Sequence, residues 1–229
     1  MIRLDKIIGV IFDINGTMLF DGKYHVEAWE KYIEELTGIC VGAKARREHI
    51  TGKSGKEILE YFMGCEISAD MAEQFCEEKE NIYRKLIAKD KIGLVKGLPE
   101  FLDYLDKYNI PRTMATSANL ANVMYYFEAF DLYRWFEPDK LACHDKKLRD
   151  KPYPDLYLVA CKLLDIPPEK CLVFEDSEVG ILSAINAGVK NIVAVTGDSE
   201  KLDIDNLKYI KACIKDFTEL KDELEIKNL

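Results

Sequence analysis

No C-x-x-C pair occurs among the seven cysteines of this 229-residue chain. Their odd number and scatter (Cys40, Cys65, Cys76, Cys143, Cys161, Cys171, Cys213) suit reduced thiols in a core. A disulfide framework and a zinc site are thereby disfavoured. Cys143-His144 is the only adjacent Cys/His pair; nothing nearby completes a tetrahedral set, so it reads as structural. Long apolar runs are also missing, and no segment is expected to span a bilayer or bind a membrane. The polar start, Met1-Ile2-Arg3-Leu4-Asp5-Lys6, is unlike a signal peptide, and a cytoplasmic protein is expected. Positive charge is scarce: 32 Lys and Arg against 41 Asp and Glu give a net charge of −9. With no basic stripe to offset it, nucleic acid is not an expected partner.

Several catalytic signatures are missing too. There is no G-x-S-x-G of a serine hydrolase, and no G-x-G-x-x-G follows the first apolar strand. Gly52-Lys53-Ser54 invites a P-loop reading, but Arg47 stands where the leading glycine is required. Low-complexity tracts and repeats are absent.

What is present is an alternation. Apolar, β-rich runs lie at Ile7–Phe12, Ile110–Thr116, weakly near Leu141, Cys171–Phe174 and Asn191–Val195. A possible edge strand follows at Tyr209–Ile214. Leu98, Phe101, Leu102, Leu105 and Tyr108 share one helical face, and Ile181 to Ala187 reads as a helix stopped by Gly188. Strands alternating with helices imply an α/β fold with a parallel sheet covered on both faces. Residues 24 to about 90 break the rhythm. Val26, Trp29, Ile33 and Leu36 fall on one helical face, Ile58 to Met63 and Met71 to Ile87 are helical in pattern, and Gly52 and Gly55 mark turns. The division expected is a core domain of residues 1–20 and 94–229 with an all-helical cap of residues 21–93.

Candidate chemistry gathers where strands end. Asp13 follows the first apolar run, and Gly16 lets the backbone curl so that amides aim at phosphate oxygens. Asn15-Gly16 is equally a strong signal for a type I′ hairpin. Thr116-Ser117 ends the second run with a hydroxyl and following amides, although Ser and Thr also crowd strand ends for turn reasons. Lys151 before Pro152 offers a fixed ammonium or simply a solvated one, and Lys146, Lys147 and Arg149 read as a solvated face. Glu175-Asp176 follows the Cys171–Phe174 run. The pair suits Mg²⁺, a hard ion that prefers oxygen ligands, or merely the start of a helix.

In that order, the strand-end Asp, the strand-end Thr, the Lys-Pro and the strand-end Glu-Asp resemble the four motifs of the haloacid dehalogenase-like (HAD) phosphotransferases. Asp13-Ile14-Asn15-Gly16-Thr17 is similar to their first motif, D-x-D-G-[TV], with the second Asp replaced by Asn15. Tyr24-His25-Val26-Glu27-Ala28-Trp29, and Phe174-Glu175-Asp176-Ser177 with Gly180, resemble the β-phosphoglucomutase-like branch. The resemblance implies a Rossmann-like core with an inserted helical cap. It implies Asp13 as nucleophile, Thr116 and Lys151 as grips on the phosphoryl group, and Mg²⁺ held by Asp13, the Asn15 carbonyl, Asp176 and Glu175. Gly16, Ser117, Asn119, His25 and Lys53 are its candidate substrate contacts.

The implied activity is that of a monomeric phosphatase acting on a small phosphorylated metabolite, a sugar phosphate by preference, slowed by Asn at the acid/base position. A mutase would need an Arg in the cap and a Lys after the second motif, where this chain has Gly55 and Asn119. Lys53 and Lys56 are available substitutes, so the mutase stays an alternative. A binder of phosphorylated metabolites without turnover is the other. His25, at a position where the mutases carry a cap-hinge His, reads as a gating residue or a surface one.

Overall fold

The structure, a computed structural model, describes residues 2–3, 7–145, 147–197, 209–220 and 224–225. Met1, 4–6, Lys146 and the 198–208, 221–223 and 226–229 stretches of the expected core lie outside the described residues. Two compact units emerge: Met1–Phe20 with Gly93–Leu229, and Asp21–Ile92.

The larger unit holds β1 (Ile2–Arg3), β2 (Gly9–Phe12), β3 (Arg112–Thr116), β4 (Ala142–Cys143), β5 (Cys171–Glu175), β6 (Asn191–Val195), β7 (Ile210–Ile214) and β8 (Leu224–Glu225). Six of these form one sheet in the order β4-β3-β2-β5-β6-β7, with every neighbouring pair parallel. The short β1 and β8 pair in parallel separately. The fold is thus α/β and Rossmann-like, as the alternation of runs implied.

Period-two alternation along the buried strands divides the core. Ile11 and Val173 belong to a cluster with Tyr157, Ala160, Ile181 and Val189. Phe12 and Phe174 instead stack at 5.1 Å between ring centroids, and Phe101 and Phe217 join them. Such aromatic pairs contribute roughly 0.5–1.5 kcal/mol each beyond the area they bury. Phe12 pairs with Met114 on one side and Phe174 on the other. This register brings Asp13, one residue on, to the same edge of the sheet as Thr116 and Glu175.

Four helices form the smaller unit: α1 (Gly22–Thr37), α2 (Ala43–His49), α3 (Gly55–Met63) and α4 (Ala69–Asp90). Trp29, Ile33, Ile58, Leu59 and Phe62 make its core. The larger unit continues with α5 (Leu98–Lys107), α6 (Leu120–Ala129), α7 (Asp155–Leu164) and α8 (Glu178–Asn186).

The structure shifts several boundaries. The first strand begins at Gly9 rather than Ile7, and Ile8 is exposed. The second begins at Arg112, because the Ile110 amide donates to Leu105 O and closes the end of α5. Gly55 is not a turn residue. It opens α3, whose N-terminus is held by a capping box in which Ser54 accepts from the Glu57 amide and the Glu57 carboxylate accepts from the Ser54 amide. Helix α2 had no signal to find, since none of its residues is buried. The hairpin at Asn15-Gly16 is set aside. Type I′ needs φ > 0 at both residues; Gly16 has φ +81°, whereas Asn15 is not among the non-glycine residues with positive φ. The chain instead loops, with the Gly16 amide donating to Leu19 O (2.7 Å) and that of Met18 to Ile14 O (2.8 Å).

No helix among the described residues is long and apolar enough to cross a membrane.

Candidate active site

Asp13 leaves the end of β2 with its amide donating to Phe174 O at 3.0 Å, and it is nearly buried. Its Oδ1 accepts from Lys151 Nζ at 2.6 Å. The same ammonium donates to Glu175 Oε1 at 2.5 Å, so Lys151 bridges the ends of β2 and β5. Burial works against its charge, and the Asp13 and Glu175 carboxylates outweigh that cost, so the Lys151 pKa is raised. A lysine read from sequence as either functional or solvated is therefore a fixed, buried cation.

Glu175 is fully buried and saturated with donors. Oε1 also accepts from Tyr157 OH at 3.0 Å. Oε2 accepts from the Asp176 amide (2.8 Å), the Ser177 amide (3.0 Å) and Ser177 Oγ (3.1 Å). Burial alone would raise its pKa; Lys151 and these donors reverse that and hold it below the ordinary value. A carboxylate has about four lone-pair sites, and here they are taken. Glu175 fixes Lys151 and the start of α8 in place.

Carboxylate oxygens of Asp13, Glu175 and Asp176 lie within 4.8 Å of one another. Three carboxylates against one ammonium leave the cluster short of positive charge. Burial, then the charges of Asp13 and Glu175, push the Asp176 carboxyl up to about 9. Oxygen-only donors with a deficit of positive charge fit a hard divalent cation such as Mg²⁺; nitrogen and sulfur ligands that would favour zinc are absent from the cluster.

Two glycines are required by this packing. A Cβ on Gly16 would lie 2.0 Å from Asp176 Oδ2, at a φ of +81°. One on Gly180 would lie 1.7 Å from Glu175 Oε1, and that carboxylate cannot swing away without losing its donors. Gly180→Ala is therefore expected to destabilise the protein by about 1–3 kcal/mol, the usual cost of overpacking. Thermal unfolding reads this directly, and an unchanged Tm would contradict it.

Asn15 is half-buried, and its Nδ2 donates to Tyr126 OH at 2.8 Å. Thr116 is buried at the end of β3, with Oγ1 accepting from the Ala118 amide at 3.0 Å. Ser117 is exposed beside it, and Asn119 caps α6 by accepting from the Asn122 amide. Lys147 and Arg149 are exposed, as expected of a solvated face, and Arg149 pairs with Asp155 (2.7 Å).

His25 and Lys53 belong to the helical unit. His25 stacks on Tyr83 (3.9 Å between centroids), and its Nδ1 lies 3.2 Å from Lys79 Nζ. It sits in a polar cluster that includes the fully buried Asp21 and is not a bare helix-surface histidine. Lys53 is exposed in the turn before α3. Gly55 packs tightly: a Cβ there would lie 2.3 Å from Cys76 Sγ and 3.3 Å from the Trp29 ring. Sequence reasoning missed Tyr157 and Tyr126 as partners of the site. Both occupy apolar helix positions and carry no motif signal.

Comparison with known proteins agrees with this architecture. The sequence profile described as "haloacid dehalogenase-like hydrolase" matches residues 7–188. A β-phosphoglucomutase of Bacillus subtilis is 32% identical, over 79% of this chain and 80% of its own length. A phosphorylated carbohydrates phosphatase of Thermotoga maritima is 28% identical, over 81% of this chain and 84% of its own. Among solved structures, a family IA HAD hydrolase from Entamoeba histolytica superposes with a TM-score of 0.86 at 33% identity, covering 92% of this chain and 94% of the other.

Proposed function

This chain belongs to the haloacid dehalogenase-like hydrolases, and from that premise we propose that it is a Mg²⁺-dependent phosphatase of small phosphorylated metabolites, sugar phosphates above all. The observation that carries the proposal is the buried cluster in which Lys151 bridges Asp13 and Glu175 next to Asp176. The names of the carbohydrate phosphatase and the phosphoglucomutase among its relatives support the sugar class.

Asp13 and Asp176, with the Asn15 main-chain carbonyl, would hold the cation, and Glu175 would orient Lys151. When bound, Mg²⁺ would supply positive charge that offsets charge at the phosphoryl oxygens. An Asp13 carboxylate oxygen attacks phosphorus as the bond from phosphorus to the sugar oxygen breaks, giving an aspartyl-phosphate. Lys151, relieved of part of its duty to Asp13, stabilises the transferring oxygens. Thr116 and Ser117 bind the same group; the Gly16 and Met18 amides, expected to aim at phosphate oxygens, instead donate to Leu19 O and Ile14 O within their own loop. Water then cleaves the acyl phosphate and restores Asp13. Asn15 neither protonates the leaving oxygen nor takes a proton from water, so both half-reactions are slow.

In this proposal the helical unit is the cap, residues 21–93 of the chain, with His25 at its hinge and Lys53 among its substrate contacts. A phosphatase is favoured over a mutase because Gly55, the position of the mutases' cap Arg, has no room for a side chain beside Cys76. Free thiols at all seven cysteines support a cytoplasmic setting. A monomer completes the reading.

The test is Mg²⁺-dependent phosphate release from a panel of sugar and small-acid phosphates, with Asp13→Ala in parallel. Release lost in Asp13→Ala supports the proposal; binding of a sugar phosphate with no release from either protein points to a non-catalytic binder.

The Asp176 carboxyl adds a pH signature. Without a divalent cation, the folded protein keeps a proton that the unfolded chain gives up near the ordinary value of about 4. Stability should therefore fall as pH rises from there to about 9. Mg²⁺ binds the ionised form, so the Tm gained on adding it should grow toward the top of that window. A Mg²⁺ effect of constant size across it would contradict this.

A further inference from the structure

Away from the phosphate site, Cys161 lies in the last turns of α7 and Cys171 is the first residue of β5. Both are buried, and their sulfurs are 3.8 Å apart. The intervening turn holds the two ends together: the Ile166 amide donates to Cys161 O (3.1 Å), and that of Lys170 to Pro167 O (2.9 Å). A groove of about 330 Å³ lined by Leu158, Cys161, Lys162, Asp165, Ile166 and Pro167 runs past the Cys161 side of the pair. We propose that Cys161 and Cys171 are a redox modification site, closed to a reversible intramolecular disulfide by hydrogen peroxide entering this groove.

A disulfide is about 2.05 Å long, so the sulfurs, now 3.8 Å apart, must approach by roughly 1.8 Å. The roles are unequal. The Cys161 thiol lines the groove and donates toward Cys171 Sγ, whereas the Cys171 thiol donates toward Pro167 O (both 3.8 Å). Cys161, on the groove, is the first sulfur to react. Its thiolate attacks one peroxide oxygen; the O–O bond breaks, and the leaving oxygen departs as water once protonated, giving a sulfenic acid. The Cys171 sulfur then attacks the Cys161 sulfur, the S–OH bond breaks, and a second water leaves with the Cys171 proton. Two thiols and one peroxide become one disulfide and two waters. The sulfurs lose two electrons and the peroxide gains them. Nothing in this step depends on the phosphatase reading.

Tryptic mapping tests it. The intact protein is treated with graded hydrogen peroxide, its free thiols are alkylated, and it is digested without reductant. Cleavage after Arg149, Lys162, Lys170 and Lys190 leaves Cys161 in peptide 150–162 and Cys171 in peptide 171–190. The expected result is a linked 150–162/171–190 pair, two hydrogens lighter than its parts. It should form with loss of both alkylated peptides, return to them with dithiothreitol, and be absent from Cys161→Ser. The proposal is overturned if the two peptides stay separately alkylated, or carry sulfinic acid, at doses that oxidise the exposed Cys40, Cys65 and Cys213. Linkage of either cysteine to a different one overturns it as well.

Discussion

Asn15→Asp is expected to accelerate hydrolysis of sugar phosphates by about 10²- to 10⁴-fold, the usual contribution of a general acid/base group. p-Nitrophenyl phosphate should gain far less in the transfer step, because its leaving group departs as a stable anion and needs no proton. The side chain at position 15 is already half-buried and hydrogen-bonded to Tyr126 OH. A carboxylate there can accept from the phenol, which has a proton to donate, so the exchange keeps a partner. It also adds negative charge to a cluster already short of positive charge, and the variant should need Mg²⁺ all the more. Steady-state rates on both substrates, for both proteins, decide the matter. Equal gains would mean that position 15 does not handle the proton of the leaving group.

Lys151→Met carries the second large effect, and it falls on the fold as well as on the chemistry. Removing one partner from a buried ion pair costs about 3–5 kcal/mol, because the other charge stays behind. Here two carboxylates stay behind, one of them on the wholly inaccessible Glu175. Without the ammonium, burial, which raises the Glu175 pKa, loses its largest opponent, and the folded-state pKa is expected to rise above the unfolded value. The folded variant then binds more protons than the unfolded chain. Its stability should be greatest at low pH and fall as pH rises past the ordinary carboxylate range. Adding Glu175→Gln should recover part of the loss, since an amide removes the stranded charge. Urea unfolding of the four proteins of this cycle at pH 5 and pH 8 checks each step. A Lys151→Met protein as stable as its parent at pH 8 would contradict the account.

How much of this the sequence disclosed follows from what kind of signal each feature leaves. Asp13, Thr116 and Glu175 were visible because buried parallel strands read as apolar runs, and a polar residue that ends such a run stands out. The core helices α5 and α8 were visible through their apolar faces. By contrast, α2 buries none of its residues and so has no periodicity to detect. Tyr157 and Tyr126 occupy helix positions that any core aromatic fills; their roles depend on contacts to Glu175 and Asn15, each made over a long separation in sequence. The resemblance implies Glu175 as a helper in metal binding; the contacts that engage its oxygens, from Lys151, Tyr157 and the turn into α8, leave no trace in the sequence. Gly180, noticed as part of a motif, turns out to be dictated by the space that this carboxylate takes.

The central claim, that Asp13 is phosphorylated, can be tested on the peptide that contains it. Cleavage after Lys6 and Lys23 isolates Asp13 in peptide 7–23. The protein is mixed with p-nitrophenyl phosphate and Mg²⁺, acid-quenched, digested and weighed. Because Asn15 is a poor base for the water that should cleave the acyl phosphate, the adduct is expected to accumulate. Peptide 7–23 should gain the mass of one phosphoryl group at Asp13, and the adduct should fade faster in Asn15→Asp. A peptide that stays unmodified while nitrophenol is released would contradict the mechanism.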